Sequence, residues 1–199
     1  MRRMPDATRP APAADPVPAS TRAWTVEPRP LDSPGAVELL RAYLHDVADR
    51  WYRLHHARAV TDEEMARHWD EMCADDSGPG GLRPPQGVLL VARYGGRDAG
   101  CVGLRRLEGP EGPEGPGDAG TAELTRMFVL PEMRGLGGAP RLLSAAEDVA
   151  RAWGVRRLLL NTRRDLVEAR ALYTRHGYTD VPPYRIDDPY AEVFLAKEL

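Results

Sequence analysis

The sequence predicts an α/β chain of the α+β type. Apolar residues recur at helical intervals in several segments, and other short runs read as strands. Their order is strand, two helices, three strands, helix, strand, helix and one or two strands. Three consecutive strands between helices are not what a plainly alternating α/β sheet contains.

The elements follow in chain order. Residues 1–22 are dominated by Pro and Ala. Such a segment cannot bury enough apolar surface to offset its ordering entropy, so it reads as a disordered tail. Trp24-Thr25-Val26 begins a short strand that Pro28 and Pro30 end. Ser33 and Pro34 then supply a helix start, with Ser as N-cap and Pro in the first turn. Val37, Leu40, Leu44, Val47 and Trp51 carry that helix to about Tyr52. Thr61 with Glu64 three residues on is a capping box, and a second helix runs to about Cys73. Asp75 to Gln86 reads as a loop.

Gly87 to Tyr94 is a buried strand, Gly95-Gly96 a two-residue hairpin turn, and Ala99 to Leu104 the returning strand. Three copies of Glu-Gly-Pro follow at 108–116 and read as a flexible hairpin tip over 108–120. Thr121 to Leu130 is the next strand. In the helix from Arg141 to Trp153, residues Leu142, Ala146, Val149 and Trp153 line one face, and Gly154 ends it. Arg157 to Asn161 is a buried strand, Val167 to His176 a helix closed by Gly177, and Ala191 to Leu195 a last strand. The folded domain therefore spans 23–199.

Composition narrows the function. A chain of 199 residues, 42% hydrophobic, suits one domain with a full core. Net charge is −3 and the arginines are scattered, which argues against a nucleic-acid stripe. Cys73 and Cys101 match no metal or redox spacing, and the five histidines form no helical i,i+4 pair, so no metal site is expected. No apolar run follows Arg2 and Arg3 as a signal peptide would need, and none is long enough to span a membrane. A reduced, cytoplasmic protein is the simplest expectation.

The chemistry concentrates at Arg134-Gly135-Leu136-Gly137-Gly138-Ala139, between a strand and a helix. Glycines let the backbone approach a ligand, and the free N–H groups of the first helical turn favour an anion. Ala139-Pro140-Arg141 stands where a P-loop needs Gly-Lys-Ser/Thr, and Pro140 stands where the dinucleotide fingerprint needs its third glycine.

Arg134, Gly137 and Ala139 fit the pattern Arg/Gln-x-x-Gly-x-Gly/Ala. This resembles the acyl-CoA motif of the GNAT superfamily of N-acyltransferases. Leu172-Tyr173-x-x-x-Gly177-Tyr178 resembles a second signature of that family. The resemblance covers roughly residues 23–199 and is most specific between 121 and 178. It implies a central mixed, mostly antiparallel sheet of six to seven strands flanked by about four helices. It also implies acetyl-CoA as acyl donor, an amine of a small molecule or peptide as acceptor, and direct attack in a ternary complex. Dimers are common in the family.

By the same resemblance, backbone amides of Arg134, Gly135, Leu136, Gly137, Gly138 and Ala139 meet the pyrophosphate, and Arg134 adds charge. Pro140 leaves one amide fewer. The backbone of Met127 would polarise the thioester carbonyl, and that of Val129 would pair with the pantetheine arm; both side chains also suit core packing. Asn161 resembles the pantetheine-bonding position, or is a strand-end turn residue. Glu123 is the candidate base, its pKa expected to rise beside apolar walls; otherwise it faces solvent or pairs with Arg126 or Arg105. Tyr173 is the candidate acid for the leaving thiolate, or a core tyrosine. His45, Tyr52 and Tyr184 are further candidates for the acceptor pocket. A non-catalytic acyl-CoA-binding module is the alternative.

Overall fold

A computed structural model of the chain describes residues 23–78, 81–107, 120–185, 188 and 190–199. The Pro/Ala-rich tail and the Glu-Gly-Pro copies lie outside these residues.

A seven-stranded sheet is built from β1 (Trp24–Arg29), β2 (Gly87–Tyr94), β3 (Arg97–Arg106), β4 (Thr121–Val129), β5 (Arg157–Thr162), β6 (Thr179–Asp180) and β7 (Val193–Glu198). Their spatial order is β1-β2-β3-β4-β5-β7-β6. Only β4 and β5 pair in parallel, so the sheet is mixed and mostly antiparallel. Four helices flank it: α1 (Pro34–His56), α2 (Asp62–Ser77), α3 (Gly138–Ala152) and α4 (Val167–Arg175).

Two cores result. One packs α3 and α4 on Leu90, Val102, Leu104, Leu124, Leu158 and Leu160. The other packs α1 and α2 on Leu89, Val91, Cys101 and Phe128. Alternation along the strands sends successive side chains to opposite cores. Leu142 and Leu143 of α3 are fully buried, each stabilising by about 1.5–3 kcal/mol.

Several boundaries differ from the sequence expectations. β1 runs through Pro28 to Arg29, because it is an edge strand and a missing N–H costs nothing on its open side. Ser33 holds the N-cap position of α1 with Pro34 in the first turn, as expected, but its side chain makes no capping bond; its hydroxyl donates to Pro30 O instead. α1 extends to His56 and closes on Ala57 in the left-handed region. The Thr61–Glu64 capping box is present as expected. α2 continues past Cys73 to Ser77, where Asp75 and Asp76 find arginine partners. Gly95 and Gly96 both take positive φ, as a tight hairpin turn requires.

Candidate active site

The site begins at an irregularity in β4. Thr125 pairs with Gly103 and Phe128 with Cys101, so Arg126 and Met127 together face one residue, Val102. This is a β-bulge. Arg126 sits at φ 53°, a left-handed conformation that costs a non-glycine residue about 1–2 kcal/mol. Its guanidinium is held by Asp75 and Asp76 at the end of α2, each at 2.9 Å. The Cys101 thiol donates to Arg126 O. The bulge shifts the alternation, so Glu123 and Thr125 point to the α1/α2 side and Phe128 follows instead of Met127.

β4 also leaves its neighbour. It pairs with β5 only from Thr121 to Leu124, while β5 continues along β7 to Thr162. Beyond Leu124 the two strands part, and no strand among the described residues covers that edge of β4. An extended ligand arm fits there as an added strand.

The glycine turn follows β4 in the chain and leads into α3; none of Arg134–Ala139 lines the cavity that holds Met127 and Glu123. Gly135 and Gly137 have φ of 79° and 84°, and nothing lies within 4 Å of where a Cβ would stand. The backbone is open to an approaching ligand. α3 begins at Gly138, so the N–H groups of Gly138 and Ala139 are in its first turn. Gly138 packs flat on the Trp24 ring, where any side chain would collide. Trp24 Nε1 donates to Leu136 O at 2.7 Å, clamping the turn from β1. These features fit a pyrophosphate. Arg134, however, turns back across Phe128: its Nε donates to Val129 O at 3.0 Å and its Nη2 to Asp46 at 3.1 Å. The carbonyl of Val129, whose backbone was expected to pair with the pantetheine arm, is thus engaged by Arg134.

A cavity of about 830 Å³ runs from the splayed strands toward α1, α2 and the chain before β7. Met127, Glu123, Asn161 and Tyr173 all line it. Tyr173 is 6% exposed, and burial pushes its phenol up, so it stays protonated throughout the neutral range.

Glu123 is 1% exposed, but its walls are not apolar. Arg105, directly opposite on β3, donates to Oε2 from Nε at 2.9 Å and from Nη2 at 2.8 Å. Arg185 Nη2 reaches the same oxygen at 3.2 Å. Oε1 accepts from Tyr184 Oη at 2.9 Å and from Asn161 Nδ2 at 3.3 Å. The expectation of apolar walls therefore gives way to the alternative of pairing with Arg105. Taking a substrate proton requires one of these donors to leave. Asn161 points into the site as a partner of Glu123. Arg105 Nη1 also donates to both Asp75 oxygens at 3.0 Å.

Tyr52 and Tyr184 line the cavity; His45 does not. Sequence reasoning passed over Arg185, Asp75, Trp51, His68 and Tyr190, which also line it. No local spacing marks them, because separate elements converge there. Among the described residues no group of three or more His, Cys, Asp or Glu side chains can hold a metal ion. No helix among them is long and apolar enough to cross a membrane.

A bulged strand splayed from its parallel neighbour leads into a glycine-rich helix start, within a mixed seven-stranded sheet flanked by helices. The model of the acetyltransferase (GNAT) family matches residues 41–178, and the chain belongs to that family. An IAA acetyltransferase of Azospirillum brasilense is 37% identical over 122 residues, covering 59% of this chain and 72% of that protein. An uncharacterized N-acetyltransferase of Schizosaccharomyces pombe is 32% identical over 102 residues, or 51% of this chain; the chain spans 57% of that relative's length. A GNAT family acetyltransferase from Elizabethkingia anophelis, solved with acetyl-CoA bound, superposes with a TM-score of 0.55 at 18% identity, covering 88% of this chain and 98% of that one. The last comparison speaks to fold alone.

Proposed function

We propose that this protein is an N-acetyltransferase that moves an acetyl group from acetyl-CoA to the primary amine of a small molecule or peptide, by direct attack in a ternary complex. One observation carries the reading: a single cavity joins the uncovered edge of β4 to Glu123 and Tyr173, while the glycine turn, outside its lining, follows β4 in the chain.

The amides of the Arg134–Ala139 turn hold the pyrophosphate, and the helix start favours its charge. The bulged backbone at Met127 polarises the thioester carbonyl, and Val129 pairs with the pantetheine once Arg134 releases its carbonyl. The bound thioester supplies the electrophilic carbon. Glu123 takes a proton from the acceptor ammonium when one of its donors moves aside. The amine nitrogen then bonds to that carbon as the C–S bond breaks. Tyr173 gives its proton to the departing sulfur and regains one from the nitrogen. The sum is amide, free thiol and one released proton. Free Cys73 and Cys101 suit a cytoplasmic location.

The engaged lone pairs of Glu123 also favour a second reading, a non-catalytic acyl-CoA-binding module. Thiol release from acetyl-CoA across a panel of amines separates the two. The enzyme reading expects turnover with at least one amine, slowed about a hundredfold or more by Glu123→Gln and by Tyr173→Phe. Cofactor binding without thiol release for any amine supports the module. Unchanged rates in both variants refute the residue roles.

A further inference from the structure

The buried charges beside Glu123 differ in how completely they are satisfied. Arg105 is 5% exposed, and every nitrogen of its guanidinium has a carboxylate partner. Arg126 is held by two aspartates. Arg185 has one carboxylate partner among the described residues, Glu123 at 3.2 Å, and its side chain is 28% exposed to the cavity. It is the member of the cluster that an incoming ligand can detach.

What detaches it must satisfy two groups. A simple monoamine that takes Glu123 strands Arg185. The wall carries Arg105, Arg126, Arg163 and Arg185 with Glu71, Asp75, Glu123 and Asp188, so its charges balance and a polyamine brings positive charge with no surplus carboxylate to meet it. A molecule with an ammonium and a carboxylate a few bonds apart exchanges the Glu123–Arg185 pair for two pairs and leaves the charge balance unchanged. Arg185 also offers the planar fork that matches a carboxylate. Part of the remaining wall is aromatic: Trp51 and Tyr190 meet edge to face with centroids 5.3 Å apart, and Tyr52 packs on Trp51.

Resting on the acetyltransferase reading of this cavity, we infer that the acceptor is an α-amino acid bound as its zwitterion, its ammonium on Glu123, its carboxylate on Arg185 and its side chain against Trp51, Tyr52 and Tyr190. The carboxylate does more than add affinity. By drawing Arg185 off Glu123 it removes one of the three donor contacts on Oε2 and leaves the two from Arg105, so substrate recognition and loosening of the base are one event. Aromatic amino acids fit the wall best.

The test compares L-phenylalanine with phenethylamine, the same amine without the carboxylate, and with spermidine, following thiol release from acetyl-CoA. A charge-assisted hydrogen bond to a carboxylate predicts a kcat/KM for L-phenylalanine on the order of tenfold to a hundredfold above that for phenethylamine. Arg185→Gln should bring that ratio toward one, and Arg185→Lys should keep part of it. Equal or better turnover of phenethylamine or spermidine overturns the inference and leaves the acetyltransferase reading standing. If no amine releases thiol, that reading fails. Calorimetric titration with L-phenylalanine then decides the inference alone: binding lost in Arg185→Gln supports the amino-acid site, and no binding overturns it.

Discussion

Replacing Arg105 with Met removes a charge while keeping most of the side-chain length. The cost follows from what is left behind. Glu123 is 1% exposed and would lose the two donors at 2.8 and 2.9 Å, so water cannot replace them. Asp75 would lose a partner too, but its side chain is 45% exposed and it keeps Arg126. Stranding one member of a buried pair costs about 3–5 kcal/mol, and the remaining Arg185 contact places Arg105→Met near the lower end, about 3 kcal/mol. With a urea m-value of about 1–3 kcal/mol/M, the midpoint should fall by about 1–3 M. Circular dichroism during urea titration reads this directly. Arg105→Met with Glu123→Met should lose less than the sum of the single changes, because no orphaned charge remains. As a contrast, Arg67 and Glu71 are 4.0 Å apart with side chains 56% and 62% exposed. Arg67→Ala should cost about 0–0.5 kcal/mol. An Arg105→Met loss below about 0.5 kcal/mol would refute the claim that the Glu123 network is dry and tightly paired.

Gly137→Ala meets no neighbour but forces a side chain into a φ of 84°; it should cost about 1 kcal/mol and lower Tm by roughly 2–4 °C in calorimetry. The Cys101 thiol is pushed up to about 12 by burial, so it should resist a thiol reagent at pH 8 in the folded protein and react on unfolding; labelling at native rates would contradict its burial. Glu168 is held below its ordinary value of 4.5, first by the hydrogen bond from Arg50. Its folded value lies below its unfolded one, so the link stabilises above the ordinary value and is lost as pH falls through the folded value. Glu168→Gln should therefore lose less Tm than the unaltered protein between pH 6 and pH 3.

The elements most legible in the sequence were those fixed by local chemistry. Thr61 and Glu64 write their own capping box, Gly95-Gly96 its own turn, and the spacing of Leu142 and Ala146 the buried face of α3, with Val149 partly buried beside it. Pro28 misled because its cost depends on where its strand sits in the sheet, a tertiary fact. α2 outran its expected end because Asp75 and Asp76 are paid back by Arg105 and Arg126, which arrive from other strands. The glycine turn at 134–139 and the helix start after it were readable, whereas the inward fold of Arg134 onto Val129 and Asp46 was not. Glu123 shows both sides of this. Its position on a strand was visible, and Arg105 was, with Arg126, an alternative partner; the register of β3 and β4 sets Arg105 opposite it. Tyr184 and Arg185 come from 61 and 62 positions along the chain, and no spacing announces them.

Calorimetric titration with acetyl-CoA, on the unaltered chain and on Ala139→Asp, tests the central claim most directly. The substitution sets a carboxylate in the first turn of α3, beside the amides assigned to the pyrophosphate. Binding by the unaltered protein that is lost in the variant, with the fold intact by circular dichroism, is the predicted result. Equal binding by both would move the cofactor away from the glycine turn, and no binding by either would remove the acetyltransferase reading altogether.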